Sequence, residues 1–323
     1  MNIIFKLMRR ILRKSYHLIF HNKIVIRELK ETNEILKYQL EYMKRHCDIQ
    51  QIKPATSWLR EYQIKELDFA LELIELFKQF DIHPFFDGGC LIGSVRHKGF
   101  VPWDDDVDMS VLRNDFDKII SIAKEKYVWV DYPHGGYNLF NKFCDESIMT
   151  NKNKYVFIRT PYCIHVYKGE SLRNSTNCEL FVYDYVKEGV TENEFKNYLI
   201  TYKKKLDTSK PWQKIFDFYD KELDSEKYLT RRPTSRLSVG YGNWALTKMN
   251  FFGFFPVSDI FPLKIMNFEN KSIPVPFLPE SKLEKSYANF KAWPKDVGIA
   301  HGLRAINNYF IDNNIPPFLF EDI

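Results

Sequence analysis

Long apolar runs are missing from this 323-residue chain. No uninterrupted stretch approaches the roughly 20 residues that cross a bilayer. The apolar start is broken by Arg9, Arg10, Arg13 and Lys14, so neither a spanning helix nor a cleaved leader is expected. Cysteine is sparse and unpaired in pattern: Cys47, Cys90, Cys144, Cys163 and Cys178, an odd number with no CxxC. That argues against a disulfide framework and for reduced thiols in a cytosolic protein. His83, His134 and His165 show no metal-ligand spacing with those thiols, so no zinc site is expected. The body also lacks an excess of positive charge. The net charge is +5, but residues 1–23 alone carry six basic residues and no acid. The remainder is nearly neutral, which excludes a nucleic-acid-binding body.

What is present is enough to build a large core: 45% hydrophobic residues, 16% aromatic. Residues 1–22 place Ile4, Phe5, Met8, Ile11, Leu12, Leu18 and Ile19 at helical spacing among basic residues. This is a basic amphipathic helix, suited to an anionic membrane surface or to packing on its own domain or a partner. Residues 23–53 carry Ile26, Leu29, Asn33, Leu36, Leu40 and Met43 at alternating steps of three and four. That is a short heptad seam with Asn33 at an a position. It predicts a homodimer through 26–43, or an amphipathic helix folded onto the domain. Pro54 breaks the helix, Thr56 or Ser57 offers a cap, and a third domain-sized segment, 54–323, follows. It reads as a helix to about Phe80, the strand "HPFF", a Gly88-Gly89 turn, a helix to Gly99 and the strand "DVDMSV". A helix capped by Asn114 or Asp115 follows, then strand-like runs from Tyr155, helices over 191–229 and an irregular C-terminal third. The expected class is α+β, a small mixed sheet flanked by helices with an N-terminal helical extension.

The stretch "GFVPWDDDVDMSV" concentrates acid where a strand should be. Asp is a poor strand former and like charges repel on one face. Residues i and i+2 of a strand share a face about 6.5–7 Å apart, so Asp106 and Asp108 would stand side by side while Val107 and Met109 turn inward. Two such carboxylates suit a hard cation, Mg²⁺ or Mn²⁺, that also takes phosphate oxygens. Gly88 and Gly89 let backbone N–H groups approach a phosphate at a helix start. Ser94, Arg96 and Lys98 are candidates to hold phosphate or a leaving group. Asp104 and Asp105 read as a turn or as support behind the Asp106/Asp108 pair. A calcium loop is excluded because its sixth position, which must be Gly, is Met109.

"DGGCLIGSVRHKGFVPWDDDVDMSV" resembles the signature of the LicD family, which includes bacterial phosphorylcholine transferases and fukutin-type proteins. The resemblance implies a nucleotidyltransferase-like fold with a metal-binding Asp-x-Asp on a strand. It also implies transfer of a phospho-alcohol from a CDP-activated donor to a glycan hydroxyl. "CELFVYDYV" looks like the family's strand bearing a third acidic residue, by position Glu179, with Asp184 as the alternative. The C-terminal segment resembles the family's closing segment, with Tyr287-Ala288 where the family tends to have Tyr-Gly.

The expected mechanism has Asp106 and Asp108 holding the metal, and Glu179 accepting the acceptor's proton or completing the metal site. Gly88, Gly89 and Ser94 hold donor phosphates, and Arg96 and Lys98 stabilise the leaving group. The implied partners are a CDP-alcohol and a glycan, lipid-linked in one form, at the inner face of a bacterial membrane. Tyr241, Trp244 and Phe251 are candidates for an aromatic cage around the alcohol. Two other readings share these residues: a nucleotidyltransferase that moves an NMP onto a protein or small alcohol, and a non-catalytic scaffold in glycan synthesis.

Overall fold

The computed structural model describes residues 2–131, 155–161, 163–168, 176–205, 212–241 and 253–294, with residues 2–21, 57, 203 and 212 by backbone alone. Helix α1, Asn2–His46, is continuous across residues 22 and 23. Its seam residues Ile26, Leu29, Leu36 and Met43 are exposed. The pairs Arg27–Glu31, Lys37–Glu34 and Lys44–Glu41 run along it. Met1–Gln51 form one unit and Ile52–Ile323 a second. No helix among the described residues is long and apolar enough to cross a membrane.

In the second unit, helix α2 (Ser57–Lys78) is N-capped by Thr56, without a side-chain bond. It turns Leu67, Ala70, Leu73, Ile74 and Phe77 into the core. A mixed sheet follows. Strand β1 (Phe85–Phe86) pairs antiparallel with β2 (Asp108–Leu112), and β2 runs parallel to β6 (Thr176–Val186). Strand β6 continues antiparallel to β5 (Ile164–Lys168), β5 to β4 (Val156–Arg159), and β4 parallel to β3 (Val128–Asp131). The far half of β6 also pairs with β7 (Leu229–Thr230) and β8 (Arg236–Val239), and β8 with β9 (Phe255–Pro256). Helix α3 (Gly88–Arg96) links β1 to β2, and α4 (Arg113–Lys126) follows β2. Helices α5 (Glu192–Lys205) and α6 (Trp212–Asp224) cover the opposite face.

Both faces of the sheet are therefore covered. Met109, Val111, Cys178, Leu180 and Val182 join the core under α2 and α4. Phe85, Tyr183 and Tyr185 join the core under α5 and α6. The fold is α+β, a mixed sheet flanked by helices, as the element order predicts.

Three local expectations need correction. The strand begins at Asp108, so Asp106 lies in the extended segment before it. Helix α4 starts at Arg113 with Leu112 as N-cap, because the Asp115 carboxylate instead accepts a bond from the His83 N–H at 3.0 Å. The C-terminal third is more regular than expected. After the one-turn helix α7 (Val257–Ile260) comes a hairpin of β10 (Lys264–Phe268) and β11 (Lys271–Val275), then helix α8 (Pro279–Tyr287). The hairpin turn is Glu269-Asn270 with φ of 51° and 61°, a position that ordinarily announces itself with glycine. Ala288, just past α8, likewise holds φ at 52°, a conformation a glycine takes without strain.

Candidate active site

The acidic loop is pinned on every side. Gln63 of α2 donates to the Asp104 carbonyl at 2.8 Å. Glu269 in the hairpin turn accepts from the Phe100 N–H at 3.0 Å and binds Arg60 through both its oxygens. Trp103 stacks on Trp293, centroids 6.3 Å apart. At the end of the loop the Val107 carbonyl accepts the Glu179 N–H at 3.1 Å, which starts the β2–β6 ladder. Val107 and Met109 are fully buried, so the residues between and around them are turned the other way.

That ladder fixes the site. Asp108 lies in register with Glu179, and Glu179 in register with His165 on β5. The three form a row across adjacent strands on one face of the sheet. Helix α3 begins against this row. Asp87 caps it, accepting from the Gly88 N–H at 2.8 Å. Asp87 also accepts from Ser110 at 2.8 Å and Tyr183 at 3.0 Å, and pairs with the buried ammonium of Lys282 from α8. A Cβ at Gly88 would lie 2.1 Å from Asp108 Oδ2, and one at Gly89 would lie 2.1 Å from Asp104 Oδ2. Gly88 also holds φ at +52°. Both positions thus need glycine because carboxylates occupy the space a side chain would fill.

One carboxylate oxygen from each of Asp104, Asp105 and Asp106 lies within 4.8 Å of the others. Burial, followed by the charge of Asp106, pushes Asp104 and Asp108 well above the usual carboxylate range. The same two causes raise Glu179 to about 8. Tyr287 stands near enough to feel Asp108, Asp104 and Asp106, although burial is the main reason its phenol is raised. A cavity of about 110 Å³ opens beside Asp108 and Gly88, lined also by Phe181, Tyr183, Lys282 and Tyr287.

The structure thus brings together Asp106, Asp108, Glu179, Gly88 and Gly89. It places Ser94, Arg96 and Lys98 otherwise. Ser94 is buried inside α3 and donates to the Cys90 carbonyl at 2.7 Å, the usual back-bond of a helical serine. Arg96 feels Asp104, yet its guanidinium donates to the Phe290 carbonyl at 2.8 Å. Lys98 is exposed, at the turn after α3. Asp184 does not belong to the row: it lies on the other face, where Arg113 grips both its oxygens at 2.6 and 3.1 Å. Of the candidate cage residues, Tyr241 is buried against Tyr202 in the second core, while Trp244 and Phe251 lie outside the described residues.

Several participants were not anticipated. Asp104, read as a turn or supporting residue, packs directly on Gly89. Asp87 and Lys282 hold the glycine helix start. Cys163 and His165 flank Glu179, with the His165 Nδ1 to Glu179 Oε1 distance at 3.3 Å. The expectation that His165 has no thiol partner is corrected: Cys163 and His165, two apart at a strand, share a face, although their place beside Glu179 follows from the β5–β6 register.

The comparisons with known proteins agree with this arrangement. Residues 81–150 match the family model described as LicD/FKTN/FKRP, nucleotidyltransferase domain. A lipopolysaccharide cholinephosphotransferase, LicD, of Haemophilus influenzae is 36% identical over 81 residues, 25% of this chain and 28% of that protein. An uncharacterized protein, RP689, of Rickettsia prowazekii is 32% identical over 89 residues, 27% of this chain and 33% of its own length. The chain thus spans about a third or less of the curated relatives it matches. Residues 81–150, where the glycine helix start and the acidic loop lie, are thus similar to the LicD/FKTN/FKRP nucleotidyltransferase domain.

Proposed function

We propose that the chain is a transferase that moves phosphocholine, or a closely related phospho-alcohol, from a CDP-activated donor to a hydroxyl of a lipopolysaccharide-type glycan. The observation that carries this reading is the register of Asp108 with Glu179 beside the Gly88-Gly89 helix start. It unites an anion-binding backbone with a set of carboxylates, a pairing that only a cation-bridged anionic substrate makes favourable.

The donor set fits a hard divalent cation. Every donor in the loop is a carboxylate oxygen, three of them within 4.8 Å of one another, the chemistry Mg²⁺ and Mn²⁺ prefer. Those three are Asp104, Asp105 and Asp106; Asp106 would hold the cation together with Asp108, whose carboxyl it faces closely enough to raise. When bound, the cation neutralises charge on the donor phosphates as the bond to CMP breaks. The start of α3 favours phosphate oxygens through its helix dipole, its first N–H groups being held by the Asp87 and Asp108 carboxylates. Glu179 completes the oxygen set or accepts the proton of the acceptor hydroxyl. The cavity lined by Phe181, Tyr183 and Tyr287 offers aromatic faces to a quaternary ammonium. The basic helix of residues 1–22 holds the enzyme at the anionic inner face of a bacterial membrane, where such glycans are assembled.

The test is an incubation with CDP-choline and a deacylated lipopolysaccharide acceptor in Mg²⁺, followed by mass spectrometry. Phosphocholine on the glycan with release of CMP is expected, and Asp108→Asn should lower the rate about a hundredfold or more. Release of pyrophosphate from a nucleoside triphosphate, with nucleotide on the acceptor, would favour nucleotidyl transfer instead. A wild-type rate in Asp108→Asn removes the proposed site.

A further inference from the structure

Next to Glu179, on the side away from Asp108, stand a thiol and an imidazole for which the transfer reading has no use. Cys163 and His165 are two residues apart at the start of β5 and face the same way. Cys163 Sγ lies 3.3 Å from His165 Nε2 and 3.8 Å from Glu179 Oε2. One ligand atom from each of the three lies within 4.8 Å of the others. The group is held rigidly. The Cys163 N–H donates to Thr160 Oγ1 at 3.2 Å, and the Thr160 N–H donates to the Cys163 carbonyl at 2.9 Å. His165 is locked in the ladder opposite Glu179.

The Sγ–Nε2 separation is that of two ligands on one metal, and the Sγ–Oε2 separation exceeds it by a few tenths of an ångström. A tetrahedral Zn²⁺, with bonds of about 2.3 Å to sulfur and about 2.0–2.1 Å to nitrogen or oxygen, sets its donors roughly 3.3–3.6 Å apart. A sulfur, an imidazole nitrogen and a carboxylate oxygen select borderline cations over Mg²⁺. We propose that Cys163, His165 and Glu179 bind a borderline divalent cation of the zinc class, with a fourth position left open. Binding displaces the thiol proton to solvent, as thiolate ligation requires.

The same order of groups, thiol then imidazole then carboxylate, would also suit a nucleophilic cysteine. Burial decides between the two. Cys163 is 1% exposed, within reach of an ion but not of a carbonyl or phosphoryl substrate. Glu179 is the joint between this cluster and the Asp108 carboxylates, so a cation here fixes its carboxylate beside the transfer site. The inference shares Glu179 with the transferase reading but does not depend on it, and its test needs neither donor nor acceptor.

Untagged full-length protein, reduced and stripped of metal, is titrated with Co²⁺ as the probe. One equivalent should bind, with a thiolate-to-cobalt charge-transfer band in the near ultraviolet and visible bands of tetrahedral intensity. Zn²⁺ should displace it and a large excess of Mg²⁺ should not. Cys163→Ser should abolish the charge-transfer band and weaken binding at least tenfold. His165→Gln, which keeps the thiol, should weaken binding by a similar factor. Asp106→Asn, in the oxygen-only cluster, should leave the band intact. A wild-type protein without the band, or a band that survives in Cys163→Ser, overturns the proposal. Should Cys163→Ser fail to fold, unchanged Co²⁺ affinity in His165→Gln overturns it equally.

Discussion

At the scale of single residues, two acids on one strand have opposite fates. Glu179 and Asp184 are five positions apart in β6, an odd offset, so they must face opposite sides of the sheet. Glu179 joins the carboxylate row, where burial and the charge of Asp106 oppose its ionisation. Asp184 is fully buried in the two-bond pair with Arg113. The consequences separate cleanly. Asp184→Asn removes the two-bond partner of the buried Arg113 guanidinium, leaving it the Asp117 carboxylate at 3.7 Å, and should cost about 3 kcal/mol, read as a lowered urea midpoint. Glu179→Gln should cost transfer activity and leave that midpoint unchanged or higher in metal-free protein. The sign follows from linkage. A folded-state value near 8, above the ordinary 4.5, means the native state binds more protons between those limits. Stability therefore falls as pH rises through that window. In Glu179→Gln the fall between pH 5 and 8 should be shallower. An equal slope in both proteins would show that Glu179 is not held among the acids.

At the scale of elements, the helices and strands that were legible are those whose apolar spacing serves burial. Leu67, Leu73 and Phe77 on α2, and Met109 and Val111 on β2, announce both period and inward face. What was not legible depends on partners distant in sequence. The hairpin turn Glu269-Asn270 carries no glycine, because Glu269 is needed by Arg60 and by the Phe100 N–H. Ser94 has the right composition for a phosphate contact, but helical geometry turns its hydroxyl onto Cys90. The strand parity that excludes Asp184 was in the sequence; that Cys163 and His165 flank Glu179 needed the β5–β6 register. Helix α1 leaves a different trace. Its seam residues Ile26, Leu29, Leu36 and Met43 are 39 to 64% exposed, an apolar line that a second copy in parallel would cover, with Asn33 opposite Asn33 to fix register. Sedimentation should therefore give a dimer at micromolar concentration. Leu29→Glu with Leu36→Glu should give a monomer whose body melts unchanged. A wild-type monomer at high concentration would rule out the coil.

At the scale of the whole molecule, the body is a sheet covered on both faces, with the carboxylates of the candidate site gathered in one place. The start of α3, the acidic loop, β2 and β6 meet there, tied to α8 by Asp87–Lys282 and to the hairpin by Arg60–Glu269. A ligand that satisfies those carboxylates binds only the folded arrangement, since the unfolded chain scatters Asp87, Asp108, Glu179 and Lys282 over nearly 200 positions of sequence. Such a ligand must stabilise the native state by mass action, about 2.7 kcal/mol at a hundred times its dissociation constant. For a domain of this size that amounts to a rise of several degrees in melting temperature. CDP and Mg²⁺ together should produce that rise, and each alone a smaller one, because the nucleotide's phosphates and the carboxylates repel each other until a cation lies between them. Asp108→Asn should remove the difference between the pair and its parts. If CDP raises the melting point equally in EDTA, the nucleotide is bound without the carboxylates, and the acidic loop serves some purpose other than gripping a cation.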